Sequence, residues 1–274
     1  MGGAHPRRFC RTIGVAYSGA ETAESSLKGL RVYQSVGDDP TEEVTPPQGT
    51  KRYWARHALA EWLIDHLRQE QPCIVGIDHA FSFPMRYFEV HGLPPDWNAF
   101  LADFRAHWPT HQPHTYVDFI RDGNVGNGTA RVGNPRWRRL TEDAQPSAKS
   151  VFQFEGQGAI AKATHAGLPW LQHIRRACPG AHFWPFDGWQ VPDGASVLAE
   201  VHPRLWKGSY EVDGLTPAQQ NAFTVASWLR DADMDGRIAA ALCPALPPAV
   251  AAIGQVEGWI LGAEFDPTLL RQSR

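Results

Sequence analysis

No stretch of this 274-residue chain reaches the roughly 18 consecutive apolar residues that a membrane-spanning helix needs. Cysteine is scarce and scattered, at Cys10, Cys73, Cys178 and Cys243, with no C-x-x-C pair. That spacing argues against a zinc site, and a chain this long does not depend on a disulfide framework. A P-loop, a G-x-G-x-x-G turn, a G-x-S-x-G elbow and an H-E-x-x-H helix are all missing. Excess positive charge is missing too. The formal net charge is -3, which argues against a strongly basic nucleic-acid binder but leaves room for a local basic patch. The first eight residues carry an Arg pair but no apolar signal-peptide segment after it. These absences predict a reduced, cytoplasmic protein with no membrane partner.

What is present is a foldable globular composition, 43% hydrophobic and 20% charged. Eleven tryptophans are many, and such rings serve as core or as stacking surfaces.

Apolar runs punctuated by Gly and Pro give the skeleton. Residues 11 to 18 read as a buried strand entering a turn at Gly19. Residues 30 to 36 alternate like a half-exposed strand, so the two predict an antiparallel hairpin. Residues 37 to 50 are acidic and proline-bearing and read as a loop. Trp54, Ala58, Trp62 and Leu63 recur at helical spacing within residues 52 to 69, and Pro72 stops that helix. Residues 73 to 78 are apolar on both faces, as a central strand covered by helices should be. Residues 80 to 195 follow no simple alternation. They are rich in Trp, Pro, His and Gly, with one helix starting at Pro94-Pro95-Asp96 and another within 157 to 176. A third strand covers 196 to 202. Thr216-Pro217-Ala218-Gln219 combines a cap, a first-turn proline and a capping box. A final helix is expected over 248 to 261. The pattern predicts one α/β domain over residues 1 to 274, a mixed sheet flanked by helices with a large insertion at about 80–195.

Acids close two of these strands, Asp78 on one and Glu200 on another. On the first strand the matching position holds Ala16. Acids gathered at one sheet edge suit Mg²⁺ or Mn²⁺, which take oxygen ligands. Two such ions about 3.5–4 Å apart activate water and stabilise the leaving oxygen in phosphodiester cleavage. The competing reading is that each acid caps a turn. His79, directly after Asp78, is a candidate proton shuttle or a buried, hydrogen-bonded ring.

Basic residues suggest where a phosphate would sit. Arg204 and Lys207 follow Glu200, and Ser18 lies in the first turn. The run from 121 to 139 holds Arg121, Arg131, Arg136, Arg138 and Arg139 among glycines, with Trp137 as a stacking candidate. Arginines paired with local acids are the equally weighted alternative. His107, His111 and His114 are separated by Pro109 and Pro113, which favours an exposed loop over a transition-metal site. Glu21 and Glu24 are candidate replacement ligands, whereas Asp233 and Asp235, at least three helical turns beyond Asn221, read as a solvated helix C-terminus.

Several segments resemble the bacterial family known as domain of unknown function 429, predicted to be ribonuclease-H-like nucleases. They are residues 14 to 20, Gly76-Ile77-Asp78-His79-Ala80-Phe81-Ser82-Phe83-Pro84, Glu200-Val201-His202-Pro203, Gln220-Asn221-Ala222-Phe223 and residues 257 to 262. The likeness spans about residues 10 to 262. It implies a ribonuclease-H-like core and metal-dependent cleavage of nucleic acid. In the family pattern an Asp follows Gly-Val on the first strand, where this chain has Ala16, and another stands where this chain has Asn221. Asp78 and Glu200 match. The resemblance therefore implies metal ligation by Asp78, Glu200 and a weakened Asn221, with the place of the bridging carboxylate taken by Ala16. Cleavage is expected to be weak or lost. The rival expectation is a non-catalytic module binding nucleic acid or nucleotide phosphate. An actin-like phosphotransferase is less favoured, because that class duplicates its core.

Overall fold

A computed structural model describes residues 7–47 and 51–266. Its frame is a six-stranded mixed sheet of β1 (Arg11–Ala16), β2 (Arg31–Val36), β3 (Glu42–Glu43), β4 (Cys73–Asp78), β5 (His182–Trp184) and β6 (Val197–Glu200). The spatial order is β3-β2-β1-β4-β6-β5. Strands β1, β4, β6 and β5 run parallel, whereas β2 is antiparallel to both β1 and β3. Nearly every residue of β1 and β4 is buried, which is why both read as almost continuous apolar runs.

The helices are α1 (Arg56–Leu67), α2 (Met85–His91), α3 (Trp97–His107), α4 (Val117–Arg121), α5 (Leu140–Ala144), α6 (Ala161–Ala177), α7 (Pro217–Met234), α8 (Arg237–Leu242) and α9 (Pro248–Glu257). Ile13, Val15, Val75 and Ile77 turn one face of the sheet into a core shared with Leu59 and Leu63 of α1 and Leu171 of α6. Each such fully buried aliphatic side chain contributes about 1.5–3 kcal/mol. The other face carries α7. Its approach is close because Gly14 has no side chain; a Cβ there would lie 2.2 Å from the Ala222 carbonyl oxygen. Ala16, Ala222 and Ala226 extend the same small-residue contact. That close seating lowers the start of α7 over the strand ends.

Helix α7 begins as its sequence predicts. Gln219 N donates to Thr216 Oγ1 at 3.4 Å, Thr216 N donates back to Gln219 Oε1 at 3.1 Å, and Pro217 takes the first position. Asp96 likewise caps α3, accepting from Ala99 N. The antiparallel β1–β2 pair, α1, β4, α6 and β6 also fall where the patterning put them. The expected loop at 37 to 50 differs: it contains β3, while its last residues, 48 to 50, lie outside the described region. β5, α2 and α8 were not expected. They are three, seven and six residues long, too short for periodicity to separate them from loop. The final helix stops at Glu257 rather than 261, because Gly258 adopts φ +78 and Ile260 then bridges to Glu200. The segment between β4 and β6 packs on the sheet and also supplies its edge strand β5. Asp233 is not a solvated charge. It is buried and accepts the backbone N–H groups of Arg8 and Phe9 at 3.1 Å each. All four cysteines are free thiols. Among the described residues, no helix is long and apolar enough to cross a membrane.

Candidate functional site: a cleft at the carboxyl edge of the sheet

Open α/β sheets place ligands beyond the carboxyl ends of their parallel strands. Ala16 pairs in register with Asp78 across β1 and β4, so both side chains lie on one face. Helix α7 brings Asn221 to the same place, and its Nδ2 donates to Asp78 Oδ2 at 3.3 Å. Three of the four positions singled out in the sequence therefore meet.

Glu200 is not among them. It pairs in register with Ile77, one residue short of Asp78, and a one-residue offset sends a side chain to the opposite face. There it is 2% exposed and held by Arg139, itself 1% exposed. Arg139 Nη1 donates to Glu200 Oε2 at 2.7 Å and Nη2 to Oε1 at 2.5 Å, while Phe81 N donates to Oε2 at 3.0 Å. The same guanidinium bonds Glu142 Oε1 at 2.8 Å and the Glu257 carbonyl at 3.1 Å. Burial alone would lower the pKa of Arg139, but Glu200 and Glu142 more than reverse this and hold it charged. The expected metal ligand is thus half of a buried, bidentate ion pair.

Asp78 stands in a different field. Lost hydration pushes its carboxyl up to about 7; the Glu200 charge adds to the rise, while the Asn221 hydrogen bond and Arg204 oppose it. Tyr17, Asp78, His202, Arg204 and Asn221 line a cavity of about 210 Å³, closed on one side by residues leading into α6. It adjoins a larger cavity of about 510 Å³ that shares Pro203, Arg204 and Asn221 and adds Lys149, Lys207 and Glu211. Arg204 and Lys207 are exposed, Lys149 is half-buried, and none of the three forms an ion pair among the described residues. Arg204 therefore stands unpaired beside Asp78, and Lys149 and Lys207 stand unpaired with Glu211 in the adjoining cavity.

The other basic candidates are engaged elsewhere. Arg121 pairs with Asp118 and Glu155, each at 3.4 Å. Arg131 clasps Asp103 at 2.6 and 2.8 Å, and Arg138 bonds Asp143 at 2.6 Å. With Arg139 buried, only Arg136 of the five remains exposed with no side-chain pair among the described residues. Trp137 packs edge-on against Phe152, a core contact rather than an open stacking face. Ser18 is half-buried and bonded locally: its Oγ accepts from Ala20 N at 3.4 Å and its carbonyl from Arg56 at 3.0 Å.

His79 is no proton shuttle for this cleft. It is buried against Gly167, where an added Cβ would sit 2.4 Å from Nε2, and its Nδ1 lies 2.9 Å from the Ala80 carbonyl. Burial pulls it down to about 4, so the ring is neutral. His202 was not among the sequence candidates, yet it lines the cleft. Its Nε2 lies 3.0 Å from Ser147 Oγ, and burial followed by the Arg204 charge draws it down to about 4. Tyr17 and Lys149 also went unrecognised. The available signal was adjacency: Tyr17 follows Ala16, and His202 lies between Glu200 and Arg204. Lys149 had none.

The donor set does not fit a two-metal centre. The cleft offers one strand-end carboxylate, a methyl group at Ala16 and an amide already bonded to the acid. Among the described residues, no three His, Cys, Asp or Glu side chains converge as ligands. Comparison with protein families, with curated proteins and with solved structures finds no match for this chain. The resemblance to the domain-of-unknown-function 429 family thus rests on the motifs alone.

Proposed function

We propose that this chain has a ribonuclease-H-like core and acts as a phosphate-binding, nuclease-like protein with a degenerate metal centre. The strand order, with β2 alone reversed within β3-β2-β1-β4-β6 and a helix between β3 and β4, supports that topology. The observation that carries the functional reading is the contrast within the cleft: one strand-end carboxylate remains, with Arg204 unpaired beside it and Lys207 and Lys149 unpaired in the adjoining cavity. A charged phosphodiester or nucleotide phosphate suits this field, because Arg and Lys donate charge-assisted hydrogen bonds to phosphate oxygens. Losing the bridging carboxylate is a severe handicap for cleavage, since each thousandfold in rate is about 4 kcal/mol of transition-state stabilisation.

The test is binding of a fluorescent single strand, and separately of a nucleotide, with and without chelator. Binding is expected to ignore the chelator, to weaken steeply with salt through counterion release, and to fall in the Arg204→Gln variant. Efficient cleavage with Mn²⁺, or binding untouched by that substitution, would overturn the reading. The co-location of Ala16, Asp78 and Asn221 favours descent from an active metal site. The Ala16→Asp, Asn221→Asp double variant is therefore expected to gain Mn²⁺ affinity.

A further inference from the structure

A second cavity, about 500 Å³, opens between α3 and α6 and shares no lining residue with the Asp78 cleft. Arg105, Pro109, His111, Gly126, Gln172 and Arg176 shape it, and its lining contains no acid. Among the described residues, neither Arg105 nor Arg176 forms an ion pair. Two guanidinium groups without a counter-charge repel one another; burial, then Arg176, draws the Arg105 pKa down.

The hydrogen bonding shows what is missing. Arg105 Nε, which can only donate, points at His111 Nε2 at 3.1 Å. The ring must accept there, so a neutral imidazole carries its proton on Nδ1. That Nδ1 is buried and has no partner. Gln172, 5% exposed, also has a buried Oε1 without a partner, and half a turn of its amide presents the NH₂ group instead. Buried polar groups are rarely left unpaired. Two at one pocket, beside two unpaired cations, call for an anion that accepts from several directions.

We propose that this pocket binds the phosphate group of a small phosphorylated molecule, held by Arg105, Arg176 and the Nδ1–H of His111. Two guanidinium forks and an imidazole N–H outnumber the oxygens of a carboxylate and suit a tetrahedral group.

Inorganic phosphate is the probe, titrated into the full chain by calorimetry, with ¹⁵N signals of the histidine rings followed in parallel. The expected result is saturable binding that weakens about tenfold or more in Arg176→Gln. The His111 Nδ1 signal should shift with phosphate, and that shift should persist in Arg204→Gln, which alters only the Asp78 cleft. Arg176 is exposed, so this variant is expected to fold, and circular dichroism verifies that it does. Acetate should bind at least about tenfold more weakly. Absence of a saturable His111 shift, or a shift that survives Arg176→Gln, overturns the site. A His111 shift that is lost in Arg204→Gln overturns the site equally. Equal binding of acetate overturns the phosphate assignment.

Discussion

Asp78 and Glu200 close neighbouring parallel strands, each after an apolar run, yet they face opposite ways into opposite environments. Asp78 looks into a cleft beside the unpaired Arg204, and its carboxyl is pushed up to about 7 by lost hydration. Glu200 looks into the core and meets Arg139 in a two-point ion pair. A register offset of one residue, Ile77 rather than Asp78 opposite Glu200, separates the two fates. Chemically similar acids at one sheet edge are thus not a site until the register is known.

The largest expected effect comes from breaking the buried pair. Arg139→Ala strands Glu200 and Glu142 without their cation and is expected to cost about 3–5 kcal/mol. Asp78→Asn removes an acid that folding already disfavours, and urea denaturation should show stability unchanged or raised. Equal losses in the two variants would erase the contrast between the acids.

The second effect concerns binding. If Arg204 and Lys207 contact a single strand, replacing both with Gln should cut the slope of log affinity against log salt by about 0.7 per cation. An unchanged slope would put the strand elsewhere.

The third effect is a pH dependence. A carboxyl whose pKa is higher in the folded state takes up a proton on folding. For Asp78 the cost of ionisation therefore enters as pH rises from 3.8 to about 7, and is constant above. His79, His111, His165 and His202, each drawn from 6.5 to about 4 chiefly by burial, act in the opposite sense over much of that window. The difference between the Asp78→Asn variant and the parent isolates the acid. The variant's advantage should grow from pH 4 to pH 7 and then level off; a flat difference would mean that Asp78 titrates normally.

The smallest effect is expected at Arg121. Its partner Glu155 is exposed, and half-buried Asp118 keeps a second cation in Lys162 at 2.7 Å, so Arg121→Gln should change stability by no more than about 0.5 kcal/mol. Strand binding should stay as it was, and a clear loss would return the basic run to the site.

Much of the fold was legible because long apolar runs and caps act locally. β4 follows from its two-sided apolarity, and α7 from Thr216, Pro217 and Gln219. The meeting of Ala16, Asp78 and Asn221 was legible through the family resemblance. What stayed hidden was set by partners distant in the chain. The grip of Arg139 on Glu200 spans 61 residues, and no local pattern announces it. The same holds for Arg131, whose partner Asp103 lies on α3. β5 is too short to carry a period, and its place at the sheet edge comes from pairing with β6. Lys149 became visible only in the folded cleft.

The most direct measurement is a Mn²⁺ titration of the full chain at neutral pH, followed by the electron paramagnetic resonance signal of the free ion. With Asp78 as the only strand-end acid facing the cleft among the described residues, the free-ion signal should rise from the first addition, and Glu200→Gln should not alter it. Stoichiometric uptake of Mn²⁺ by the parent chain, abolished in Glu200→Gln, would contradict the account.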